Sequence, residues 1–290
     1  MSDTSYDPTR LMPSPEGMAH SLRESLPRFA HVDWCKQTGS TNAELIARAR
    51  EPGGPMARPW LLGCHLQTQG RGRAGRTWQN RMGANLMFSC AFDVFLPARQ
   101  LPTLAPLIGL TTCETLRTYI SPALQSRLTM KWPNDLLWNQ AKLAGILIES
   151  TRSGTAPASD HHLIIIGMGL NLQDARALSA SLDRRIADWA EIAGDDETAR
   201  RVTAPRLVAG MANAWFSALN QATAHGFTNL PQRYAQVDGL SGKMLDVLDE
   251  GRLLRTGVAC GIDNQGHLLL RDSSGVHEIS MGEISVRIRP

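Results

Sequence analysis

The sequence predicts an α+β protein: a mixed β-sheet flanked by helices, followed by a small C-terminal β-barrel. Three observations predict it. Apolar runs of strand length recur at WLLGCHLQT (60–68), LMFSCAFDVF (86–95) and HLIIIGMGLN (162–171). Around them, STNAELIARAR (40–50), LPTLAPLIGLTTCETLRTYI (101–120) and residues 198–225 carry apolar side chains at helical spacing. After Gly239 the texture changes to KMLDVLD, RLLRTGVACGI, GHLLLRD, VHEISM and EISVRI, separated by Gly, Asp or Ser. Short strands at such tight spacing suit a small barrel.

The elements follow in order. Residues 1–28, rich in Pro, Ser and charge, read as a flexible N-terminal tail with one short helix near Met18 to Leu26. A folded DNA-binding module needs about 50 residues or more, so this tail has no room for one. In the helix of 40–50, Thr41 with Glu44 three residues on matches a capping box, which makes Thr41 the cap. Pro102 suits the first turn of the next helix, and Pro106 tightens its start. LTMKW, DLLWN and KLAGILIES are three short strands, the last two a hairpin around Asn139 and Gln140. The strand ending in GMGLN follows, then a helix with the stripe Val208, Met211, Trp215 and Leu219. A boundary near 237–242 separates a large unit, 29–238, from a small one, 239–290.

Composition excludes several classes. With 42% hydrophobic and 20% charged residues, the chain has the make-up of a soluble globular protein. Its net charge of +3 is too small for wholesale nucleic-acid binding. No apolar run approaches the roughly 20 residues of a membrane helix. The N-terminus has no signal-peptide core. Five cysteines are scattered without a C-x-x-C pair, which fits a reducing cytoplasm.

Positive charge is instead gathered locally. QTQGRGRAGRTWQN (67–80) packs three arginines and three glycines between Gly70 and Arg76, and no acid occurs between Glu51 and Asp93. Glycine lets backbone approach a ligand closely, and arginine offers a planar fork to phosphate or carboxylate oxygens. The G-x-G-x-x-G match at Gly70, Gly72 and Gly75 lacks the following helix and the acid that a dinucleotide site needs. On its own, the stretch is equally an exposed basic loop without a ligand. A second cluster is KWPNDLLWNQAKLAG (131–145), where Pro133 marks a turn that presents Asn134 and Asp135. Lys142 begins the next strand and Gly145 follows, an arrangement suited to a phosphate or acyl group, although taken alone the stretch reads first as a hairpin of solvated charges.

Taken in order, S-T-N, Q-x-x-G-R-G-R-x-G-R-x-W, G-A-N-L, K-W-P-N-D, K-L-A-G-I-L-I-E and G-x-G-x-N resemble the biotin protein ligase family from about Gln37 to Asn171. The resemblance resumes at GIDNQGHLLL and GEISVR. It implies a sheet of the class II aminoacyl-tRNA synthetase-like, biotin/lipoate ligase type and an SH3-like C-terminal barrel. The implied activity joins biotin and ATP into biotinyl-5′-adenylate, then passes the biotinyl group to a lysine of the biotin carboxyl carrier protein of acetyl-CoA carboxylase. Lys142, Arg71 and Arg73 would be the catalytic cations. Biotin would meet Ser40, Thr41, Asn42, Gln67, Arg71, Gly72, Arg73, Lys142 and Gly145. The nucleotide would meet Arg73, Arg76, Trp78, Lys131, Asn134, Asp135 and Asn171, with Mg²⁺ arriving on ATP and Asp135 a candidate ligand. Trp78 would order the loop and stack on adenine, Asn171 would lie near ribose or adenine, and Glu283 and Arg287 would face the ATP side. The expected protein is a cytoplasmic monomer or homodimer that binds neither DNA nor membrane. Two departures stand out: Ala74 replaces a basic residue found in some members, and the short tail replaces the winged helix-turn-helix of repressor relatives. A lipoate or octanoyl ligase shares the architecture and a K-x-x-G element, but the arginine–glycine loop together with K-W-P-N-D favours biotin.

Overall fold

A computed structural model describes residues 12–51, 58–152, 160–182, 184–282 and 284–289. The first part runs α1 (Pro15–Ser25), β1 (His31–Thr38), α2 (Thr41–Arg50), β2 (Trp60–Gln67), β3 (Asn85–Phe95), α3 (Leu104–Arg117), β4 (Leu128–Lys131), β5 (Asp135–Trp138), β6 (Ala141–Arg152) and β7 (His161–Asn171). Five helices follow: α4 (Ala175–Leu182), α5 (Trp189–Asp195), α6 (Glu197–Arg200), α7 (Ala204–His225) and α8 (Leu230–Ala235). The last part is β8 (Met244–Asp249), β9 (Arg252–Ile262), β10 (Leu268–Asp272), β11 (Gly275–Ile279) and β12 (Ile284–Ile288).

The first seven strands form one mixed sheet in the order β1-β2-β3-β7-β6-β5-β4, with β1 and β2 parallel and the other pairs antiparallel. Strand side chains alternate between faces, and β7 shows what each face wants. Ile164, Ile166, Met168 and Leu170 enter the main core, while Leu163 and Ile165 join a second, smaller one under α2. On the main-core face lie α3 and α7, whose Trp215 stacks on Phe88 at 5.2 Å. The buried indole N–H of Trp215 donates to Thr112 Oγ1 (2.8 Å), so no polar group is stranded there. The expected stripe Val208, Met211, Trp215 and Leu219 is buried. The expected single helix over 198–225 is broken, however. Pro205 in the first turn of α7 cannot continue a preceding helix, so α6 ends at Arg200.

The described part of the expected tail, residues 12–28, is packed. Ser14 caps α1 by accepting from Gly17 N (3.2 Å), with Pro15 at the first position. Met18, Leu22 and Leu26, spaced by four, are buried where α1 meets β1 and α7. Burial of three such side chains outweighs the polar composition that suggested a tail.

The five C-terminal segments all form strands, joined as an antiparallel sheet in the order β11-β10-β9-β8-β12. Its end strands share no ladder among the described residues. Trp132 Nε1 donates to Gly266 O (3.0 Å) and Thr103 Oγ1 to Gln265 O (2.8 Å), tying this sheet to the larger one. No described helix is long and apolar enough to cross a membrane.

Candidate active site

Opposite α3 and α7, the large sheet carries a trough centred on three glycines, Gly145, Gly167 and Gly169. Asp135, Gly145, Gly169 and Met87 are successive cross-strand partners on β5, β6, β7 and β3. The neighbouring row holds Leu147, Gly167 and Ser89. A Cβ on Gly169 would lie 2.4 Å from the Trp78 ring, and one on Gly167 would lie 2.1 Å from Asn42 Oδ1. The G-M-G spacing thus has a steric reason: both glycines admit side chains that come in over the sheet.

Above the trough is a cavity of about 410 Å³. All the residues the motifs singled out as contacts line it: Ser40, Thr41, Asn42, Gln67, Arg71, Gly72, Arg73, Arg76, Trp78, Lys131, Asn134, Asp135, Lys142, Gly145 and Asn171. The C-terminal sheet adds Arg287 from β12, and Arg184 comes from the stretch after α4. Glu283 lies outside the described residues.

One end of the cavity is neutral and hydrogen-bonded. Ser40, rather than Thr41, caps α2, its Oγ accepting from Ala43 N (3.5 Å). Glu44 turns to Arg48 (2.9 Å), so the expected capping box does not form. Thr41 is therefore free for other contacts: its backbone N–H donates to Gln67 Oε1 (2.8 Å), and its hydroxyl lies 2.6 Å from Ser89 Oγ. Asn80 pairs both ways with the Gln67 backbone, accepting from Gln67 N (3.0 Å) and donating to Gln67 O (2.9 Å). That pair closes the base of the basic loop.

The loop itself is a small hairpin. Arg71 bridges Thr77, Gly72 N donates to Arg76 O (2.7 Å), and the tip turns at Ala74 and Gly75, with φ of 52° and 67°. Arg73 reaches back to Asn134 Oδ1 (3.4 Å) and donates to Gly282 O (2.6 Å). Trp78 lies over Gly169 and Gly145, and the Lys142 ammonium sits 5.4 Å from its ring centroid. Lys142 Nζ also pairs with Asp135 Oδ1 at 2.7 Å.

The other end of the cavity is cationic. Among the described residues, Arg71, Arg73, Arg76, Lys131, Lys142, Arg184 and Arg287 line it, against a single acid, Asp135. Burial pushes the Lys131 ammonium below its usual pKa; Asp135 opposes this, while Lys142, Arg184 and Arg287 add to it. Burial likewise lowers the pKa of Arg73, again opposed by Asp135. Cations held under such strain form a site that gains by receiving an anion.

Two expected ligand contacts have their polar atoms engaged within the protein. Asn171 accepts from Asn85 Nδ2 (3.0 Å) and donates to Ala187 O (3.0 Å), holding β7 to the segment before α5. Asn134 donates to Ile146 O (2.6 Å) and accepts from Arg73. Trp132 is core and faces the C-terminal sheet. For Mg²⁺, Asp135 is the one carboxylate lining the cavity among the described residues. That donor set fits an ion carried in on phosphates, since Mg²⁺ is commonly held by one or two carboxylates plus substrate oxygens. Ser89, Asn80 and Arg184 were not foreseen: Ser89 and Arg184 have no motif around them, and Asn80, at the end of the basic stretch, acts through its pairing with the Gln67 backbone.

Residues 54–171 match the biotin/lipoate A/B protein ligase family, and residues 240–287 match the biotin protein ligase C-terminal domain. A biotin–[acetyl-CoA-carboxylase] ligase of Paracoccus denitrificans is 30% identical over 250 residues, covering 86% of this chain and 97% of that protein. The chain belongs to the biotin protein ligase family. The bifunctional ligase/repressor BirA of Escherichia coli is 28% identical over 221 residues, 76% of this chain; the chain spans 64% of that relative's length. Among solved structures, the biotin protein ligase from Aquifex aeolicus in complex with biotin and ATP superposes with a TM-score of 0.70 at 24% identity. That match covers 90% of this chain and 100% of that one, a likeness of fold. Biotin protein ligases are enzymes, and the mixed sheet with its antiparallel C-terminal partner is their architecture in this chain.

Proposed function

We propose that this protein is an ATP-dependent biotin protein ligase. The observation that carries the proposal is the polarity of the cavity: among the described residues seven cations face one acid at one end, and buried neutral donors and acceptors lie at the other. Biotin has matching ends, a cyclic urea and a carboxylate, and ATP brings a polyanion to the same carboxylate.

In the first step a biotin carboxylate oxygen attacks the α-phosphorus of ATP. The bond to the bridging oxygen breaks, and pyrophosphate leaves with its electron pair. Two anions must approach each other, and the transition state carries dense negative charge. Lys142, Arg71 and Arg73 offset that charge from fixed positions. Asp135 keeps Lys142 oriented through their ion pair and would hold Mg²⁺ brought by ATP, an ion that supplies further neutralisation of the phosphates. The loop hairpin over Trp78 keeps water from the mixed anhydride. In the second step a lysine amine of the carrier attacks the acyl carbon, AMP leaves, and the amine loses its proton. The name of the Paracoccus relative points to the carrier domain of acetyl-CoA carboxylase as the acceptor. The division of labour follows the chain: residues 29–238 bind biotin and ATP, and residues 239–290 complete the nucleotide side.

The test is to mix the protein with ATP, Mg²⁺, biotin and a biotin carboxyl carrier domain, then weigh the carrier. The expected result is the mass of one biotinyl group. An unmodified carrier, or lipoate in place of biotin driving pyrophosphate release, would overturn the reading.

A further inference from the structure

The neutral end of the cavity is wired to a carboxylate outside it. Asn42 Nδ2 donates to Glu149 Oε2 (2.8 Å), with Leu147 O a second acceptor at 3.4 Å. Two acceptors on that side fix which way the amide faces, so Asn42 Oδ1 is the atom 2.5 Å from Ser89 Oγ. An amide oxygen has no proton to share, so the single hydroxyl proton of Ser89 goes to Asn42. Ser89 Oγ also lies 2.6 Å from Thr41 Oγ1, a separation that requires a proton between the two oxygens. With the Ser89 proton already engaged, that proton is Thr41's own, because the other acceptor within its reach, Gln67 Oε1, is farther at 3.3 Å. Thr41 Oγ1 is left with lone pairs only. Gln67 is fixed in the complementary sense: its Oε1 takes the Thr41 backbone N–H (2.8 Å), so its Nε2 remains the free donor. Ser89, Asn42 and Thr41 are all buried, which keeps water from scrambling the chain.

We infer that Glu149, acting through Asn42 and Ser89, holds the Thr41 hydroxyl as an acceptor beside the Gln67 donor, so that the pocket selects a ring presenting an N–H next to a carbonyl. Glu149 and Ser89 are positioning residues in this scheme. The inference rests on the biotin reading, whose cyclic urea has that pair of groups: the ring N–H donates to Thr41 and the carbonyl accepts from Gln67.

Glu149→Leu, Glu149→Gln and Ser89→Ala test it, with biotin titrated in a pyrophosphate-release assay and melting temperatures measured alongside. Leucine removes the acceptor and frees Asn42 to turn over, so the KM for biotin should rise about tenfold while the KM for ATP stays put, the scale of one ordinary hydrogen bond. Glutamine can still accept from Asn42 through Oε1, so it should restore binding to within about twofold of the wild type. Equal loss in both variants would assign the effect to charge alone, and an unchanged KM for biotin in Glu149→Leu would leave the relay without a role; either outcome overturns it. Ser89→Ala should weaken biotin but leave unchanged the already weakened binding of an analogue methylated at the ureido nitrogen that faces Thr41, found by methylating each nitrogen in turn. Equal penalties on biotin and on both methyl analogues would overturn it too. A wild-type protein that releases no pyrophosphate with biotin would instead remove the ligase reading itself, a result these variants cannot mimic.

Discussion

The two faces of the seven-stranded sheet share the same strands and backbone, and alternate residues of one sequence, yet they do opposite work. On β7, Ile164, Ile166, Met168 and Leu170 meet the helices, while Gly167 and Gly169 face Asn42 and Trp78. One face excludes water by filling space; on the other, beyond Leu163 and Ile165, the glycines leave room for side chains that come in over the sheet. The difference teaches that stability and function are separable here at single-residue resolution. Substitutions one position apart should have different phenotypes.

The largest effect should come from the cationic end. Lys142→Ala removes the cation paired with Asp135 and should slow pyrophosphate release by about 10²–10³, the usual loss for one preorganised charge-stabilising donor. Thermal melting should barely change, because Arg73 and Lys131 still face Asp135. Unchanged turnover would break the link between the cationic face and catalysis.

Next comes the direct comparison on β7. Leu170→Ala empties part of the main core and should cost about 2–5 kcal/mol of stability, read as a shift in denaturant midpoint. Gly169→Ala, its neighbour, would place a Cβ against the Trp78 ring. It should displace the indole and lower turnover with a smaller shift in midpoint. If both variants lose stability alike, the division between the faces fails.

A third prediction concerns pH. Burial lowers the Lys131 pKa below the ordinary lysine value. In the alkaline window between the lowered and ordinary values, the unfolded chain binds more protons than the fold, so stability of the free protein should rise with pH there. Nucleotide affinity should move the other way, level below the lowered pKa and falling as pH climbs through it. Lys131→Arg, which keeps its charge, should flatten that fall. Calorimetric titration of nucleotide across the alkaline range checks both signs.

The smallest effect tests the join between the sheets. Trp132→Phe keeps the aromatic bulk and deletes the N–H that donates to Gly266 O. It should cost about 1–3 kcal/mol, the penalty for a buried acceptor left without its partner, measured by chemical denaturation.

Much of this was legible because the relevant signals are local. The hairpin at Asn139 and Gln140 was readable from its turn residues, and both adopt the left-handed conformation that a tight hairpin needs, with φ of 47° and 67°. The cationic end was readable because arginines cluster without acids. What escaped was written across strands. Ser89 acquires its meaning from Thr41 and Asn42, 48 and 47 residues away, and Glu149 lies 107 residues from Asn42. The burial of α1 was hidden by a polar composition around only three apolar anchors. Asn171 carried the right motif, but its amide is engaged in tying β7 to its neighbours.

The contact between Arg73 and the Gly282 carbonyl joins groups 209 residues apart. Chains emerge from the ribosome N-terminus first, and their early parts fold as they appear. The glycine trough and the arginine hairpin are therefore made long before the carbonyl that anchors Arg73, or the Arg287 guanidinium beyond it. A nascent chain halted short of Gly282 has the floor of its chamber but not this wall, so the chamber is closed by the last segment to be made.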